Sequence, residues 1–169
     1  MRIVFMDFRT ALKNQHHAAL SMLSECLDPC PEELWLSGQH PRKYWRIVYH
    51  AAAYTHLYLY ESMASWNQWP KHRLECTYID DSGGPIAEVQ PYTIEEVQDF
   101  VQLIQSEVDG RLDALDLDAD ECGYPWYPGL PRAELLILNL RHLHGHLGQL
   151  HEMRLAHGLD LNWQGPRKV

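Results

Sequence analysis

The chain has 169 residues, a formal charge of −9, 46 % hydrophobic and 22 % charged residues. That balance is ordinary for a globular protein and long enough to bury a core without disulfides, so residues 1–169 are expected to form one domain. The acidic balance, with Lys and Arg scattered apart from a short tail at Arg167 and Lys168, excludes a nucleic-acid partner. No stretch approaches the roughly 18 apolar residues of a membrane span. The opening run MRIVFMDFRTALKNQHHAAL is broken by Asp7 and Arg9, so no secretory signal is read there and a cytoplasmic location is expected. Cys26, Cys30, Cys76 and Cys122 form no CxxC pair and no secreted disulfide spacing, and are expected as free thiols.

In chain order, the first predicted helix runs from about Asp7 to Leu27, with Phe8, Leu12, Ala19, Leu20, Leu23 and Leu27 near a 3.6-residue period. It stops at DPCP, where two prolines forbid continuation. PEELWLSG suggests a short helical turn before Gly38. The second helix is predicted from about Pro41 to Trp66, with proline in its first turn. Its centre, YWRIVYHAAAYTHLYL, is apolar on nearly every side, as in a helix surrounded by others. A long aperiodic loop, Asn67 to Tyr92, follows, and loops of that length are commonly functional. The third helix opens on a capping box, Thr93-Ile94-Glu95-Glu96, and continues to about Leu117. After DADECGYPWYPGLP the fourth runs from near Pro131 to a stop at Gly158. Strands have almost no support. The reading is an all-α, antiparallel four-helix bundle with a long loop between its second and third helices.

The fourth helix carries NLRHLHGHLGQLHEMR, with four histidines in ten positions. His142 and His146 are four apart, which turns the second ring only about 40° from the first and lifts it about 6 Å, so both reach one point. His144 lies about 200° from His142 and points elsewhere, and His151 lies about 140° beyond His146. Among eleven histidines this spacing is weak by itself. Its context adds weight: Leu135, Leu138, His142, His146 and Met153 share one broad face, so the rings point inward. Two buried imidazoles without partners are costly, whereas a divalent ion satisfies both; the alternative is histidines hydrogen-bonded in a polar core layer. A third ligand belongs on a neighbouring helix. His50 is the first candidate, mid-helix among apolar neighbours; His56, about 240° away from it, is the rival. Tyr49, Tyr54 and Tyr58 are expected in the core or at its rim.

YWRIVYHAAAYTHLYL followed about ninety residues later by LLILNLRHLHGHLGQL resembles the DinB/YfiT-like superfamily of metal-dependent four-helix bundles. The resemblance covers nearly the whole chain, including the YPWYPG turn and the C-terminal LNWQG. It implies that His50 joins the pair His142 and His146 as a metal-binding triad, followed by Gly148-Gln149-Leu150. Gly145 stands where some relatives carry another histidine, and His151 where a non-ligand polar residue is usual; neither removes a member of the triad.

Three neutral imidazoles leave a divalent ion with open positions, as in catalytic sites. The resemblance implies a metal-dependent enzyme holding Zn²⁺ or Ni²⁺ and acting on a small-molecule substrate with water or a low-molecular-weight thiol. Transferase, isomerase or hydrolase chemistry is expected, in a homodimer. No separate general base is identifiable, Glu61 and Glu152 being read as solvated helix charges. The alternative is a non-catalytic, metal-stabilised, dimeric interaction or stress-response module, with Trp66, Trp69, Trp126 and Trp163 at its contact surface or closing the bundle ends. Since imidazole titrates near 6.5, metal affinity is expected to fall below about pH 6.

Overall fold

The computed structural model describes residues 7–80 and 85–165. The tail at Arg167 and Lys168 and part of the long loop lie outside the described residues. Within them the chain is all-helical, with five α-helices, one 3-10 turn and no strand: α1 Phe8–Glu25, α2 Glu32–Trp35, α3 Tyr44–Tyr58, the turn Leu74–Cys76, α4 Ile94–Ala114 and α5 Arg132–Leu155.

Local chemistry sets most boundaries. The Asp7 carboxylate caps α1 by accepting from the Arg9 amide at 3.1 Å. The capping box of α4 is present in both directions, Glu96 N–H to the Thr93 hydroxyl and Thr93 N–H to the Glu96 carboxylate. After α5 the chain turns through Gly158, at φ 73°.

The predicted second helix requires correction at both ends. It starts at Tyr44, with Lys43 as its N-cap, so Pro41 precedes the helix. It ends at Tyr58, eight residues short of Trp66. Remote donors take over the carbonyls at that end. The Tyr124 hydroxyl donates to the Leu57 and Tyr60 carbonyls, and Arg132 donates to those of Tyr60 and Glu61. Gly123, at φ 82°, presses against the same turn, where a Cβ would stand 2.2 Å from the Glu61 carbonyl oxygen. Glu61 is exposed but lies beyond the helix rather than on it.

Helix α3 is buried at every position except Tyr54 and packs against both α4 and α5, as does α1. Leu20, Leu23, Val48, Tyr49, Phe100, Ile104, Leu143 and Leu147 belong to the shared core. Buried apolar surface of this extent is the main stabilising term. Arg154 ties the end of α5 to that of α1 through the Cys26 carbonyl at 3.3 Å. No helix among the described residues is long and apolar enough to cross a membrane.

Candidate metal centre

His50 on α3 meets His142 and His146 on α5, and their ring nitrogens lie within 4.8 Å of one another. His142 Nε2 is 2.9 Å from His50 Nε2 and 3.1 Å from His146 Nε2. Spacing explains the second pair, since residues four apart on a helix share a face. Packing of α3 on α5 brings in the first ring. His50 and His146 are buried and His142 half-buried.

The outer nitrogens of His50 and His146 fix which form those two rings take. His50 Nδ1 lies 2.5 Å from the Thr77 carbonyl, which can only accept, so Nδ1 carries the proton and Nε2 keeps its lone pair. His146 Nδ1 donates in the same way to the Gln149 side-chain oxygen at 2.9 Å. Both Nε2 atoms are therefore acceptors, and both lie within 3.1 Å of His142 Nε2. One N–H on His142 Nε2 can serve only one of them. His142 Nδ1 is buried with no hydrogen-bond partner.

Protonation does not relieve this arrangement. Burial, with the neighbouring imidazoles adding to it, pushes His50 down to about 3 and His142 down to about 4; burial also lowers His146. The rings are neutral at pH 7, with lone pairs converging. A divalent cation fits that donor set. Zinc–nitrogen bonds of about 2.0–2.1 Å put tetrahedral ligand nitrogens about 3.3 Å apart, close to the two short separations seen here. Oxygen acceptors that take the hydrogen bond of the far nitrogen, as Thr77 and Gln149 do here, are the supports that metal-binding imidazoles use. Beside the rings, His50 and Tyr54 line a cavity of about 740 Å³, walled further by Thr77, Tyr78 and Ile86.

The other sequence candidates lie elsewhere. His144 is exposed, and His151 pairs with Asp160 at 2.8 Å. His56, the rival third ligand, accepts from the Trp66 indole at Nδ1, so its Nε2 carries the proton, 3.3 Å from Glu107. Tyr49 bonds His72, Tyr58 accepts from Trp126, and only Tyr54 touches the centre, its ring 4.7 Å from His50 and 5.5 Å from His142. Glu152 is exposed, and all four cysteines are free. Sequence reasoning missed Thr77, because nothing marks which carbonyl of an aperiodic loop will meet a helix. Gln149 had a usable signal: it stands three positions after His146, within reach on the same helix.

No family model matches the chain, nor does any curated protein or solved structure.

Proposed function

We propose that the chain is a DinB-like metalloenzyme: a single-domain, antiparallel four-helix bundle with a divalent ion, zinc or nickel, on His50, His142 and His146. The observation that carries the reading is the convergence of three neutral imidazoles, two of which, His50 and His146, are held by their outer nitrogens with the Nε2 lone pair facing His142 Nε2. Such an ion, when bound, lowers the pKa of a thiol or water and so supplies a nucleophile at neutral pH.

The chain's own residues provide the rest. Thr77 and Gln149 hold two rings in the metal-ready form. Tyr54 and Thr77 shape the cavity on which His50 opens. That cavity favours turnover on a small molecule over a purely structural ion, because closed structural sites leave no room beside the metal. The proposed substrate partner is a low-molecular-weight thiol, and the proposed state is a cytoplasmic homodimer.

The test is elemental analysis of purified protein followed by a thiol-transfer screen with zinc and nickel loaded separately. About one ion per chain, with turnover lost in His142→Ala, is expected; a metal-free protein after loading overturns the reading. The exposed Trp163, at 76 % of its full accessibility, favours the second reading, a metal-stabilised dimeric interaction or stress-response module without turnover. A dimer that falls apart in Trp163→Ser, with no turnover at full metal loading, selects that reading.

A further inference from the structure

Tyr54 has two neighbours of different character. It touches the imidazoles of His50 on its own helix and His142 on α5, and it also walls a second cavity of about 390 Å³. Thr77, whose carbonyl holds His50, lines both this cavity and the one on which His50 opens. The smaller cavity is built from Leu57, Tyr58, Trp66, Trp126 and Tyr127 besides Tyr54. Its size falls within the usual range for small-molecule sites.

The lining selects the chemistry. No carboxylate, ammonium or guanidinium group is among the lining residues, and the one histidine, His72, is kept neutral at pH 7 by burial. A charged group placed there would lose its hydration without a partner. Several aromatic side chains present faces and edges, which suit a flat ring by offset or edge contacts. The walls are also held in place. The Trp66 indole donates to His56 at 3.1 Å, and the Trp126 indole to the Tyr58 hydroxyl at 3.2 Å. A wall fixed before binding costs little ordering entropy when a ligand arrives.

We propose that this cavity receives an uncharged aromatic ring on a molecule whose head group reaches the three imidazoles, a reading that rests on the metal site proposed above. Charge-free lining, aromatic walls and the shared Tyr54 and Thr77 make the cavity the specificity pocket of that centre.

The experiment compares benzohydroxamate with acetohydroxamate, which share a metal-binding head and differ in the ring. Both are titrated into zinc-loaded and metal-stripped protein, following tryptophan fluorescence and heat. Benzyl alcohol, which has the ring and no such head, is titrated alongside. On zinc-loaded protein the ring is expected to improve affinity roughly ten- to thirtyfold, at about 0.3 kcal/mol for each of its atoms. Trp126→Ala, at a half-exposed position, is expected to cut that advantage below about threefold while acetohydroxamate binds as before. Met63→Ala, at an exposed position on the same wall, is the second variant and should weaken the ring's advantage in the same direction.

Benzyl alcohol binding that is independent of zinc and weakened by Trp126→Ala supports the pocket even if neither hydroxamate binds, and in that case the metal reading alone falls. Equal affinity of the two hydroxamates, with no benzyl alcohol binding, overturns the pocket and leaves the metal centre standing. Tighter binding of phenyltrimethylammonium than of benzyl alcohol also overturns the proposal, since the cavity would then select a cation.

Discussion

His142 and His144 are two positions apart on α5, yet one is half-buried against His50 and the other is exposed. His142→Ala is therefore expected to remove most of the bound metal, and His144→Ala to leave it nearly intact. Equal loss in both, by elemental analysis of folded protein, contradicts the assigned face. Gln149 acts through His146, fixing its proton on Nδ1. Gln149→Leu should weaken zinc binding about tenfold without unfolding the helix, read by competition with a chromophoric chelator. His16 makes a different kind of prediction. It is fully buried, bonded through Nδ1 to the Leu12 carbonyl at 2.8 Å, and pushed down to about 4, chiefly by burial. In the unfolded chain it titrates near 6.5, so on acidification the unfolded state takes up the proton first and stability falls. The window runs from about pH 6.5 down to about 4. Between pH 7 and 5 this residue alone is worth about 2 kcal/mol. Urea unfolding of chelated protein should lose that much more in the wild type than in His16→Met; parallel pH profiles for the two would count against it.

Among the helices, sequence patterning was most informative where the determinants are local. The α4 capping box and the proline stop after α1 each depend on a few adjacent residues, and both stand where the sequence puts them. The end of α3 depends on Tyr124 and Arg132, more than sixty residues away, and periodicity carries no trace of such donors. The histidine triad shows the same division. The spacing of His142 and His146 and the mid-helix place of His50 were legible, while Thr77 emerges only once the loop is folded onto α3. The long-range clamp on α3 has its own test. Gly123→Ala adds a Cβ 2.2 Å from the Glu61 carbonyl oxygen, at a φ of 82° that side chains rarely adopt. It should cost about 2 kcal/mol or more in denaturant unfolding. A substitution that leaves the midpoint unchanged would show that the turn beyond Tyr58 is free to relax.

At the scale of the whole molecule, the proposed ion on His50, His142 and His146 would join α3 to α5, and binding only to the folded state would raise stability by mass action. At a free zinc concentration a hundredfold above the dissociation constant the gain is about 2.7 kcal/mol, visible as a higher melting temperature that a chelator reverses. The pH range of that effect differs from the one drawn from free imidazole. Burial lowers all three rings from the free imidazole value, so protons compete for the folded site at a lower pH than free imidazole implies. Zinc should still raise the melting temperature at pH 5.5; its failure there, with success at pH 7.5, would point to rings far less buried than these. The most direct measurement is zinc-edge X-ray absorption on the stoichiometrically loaded protein. Three imidazole nitrogens are expected at about 2.0–2.1 Å, with their outer-shell multiple scattering, and no sulfur at about 2.3 Å from the protein. A sulfur shell in protein free of added thiol, or a first shell of oxygen without imidazole scattering, would contradict that expectation.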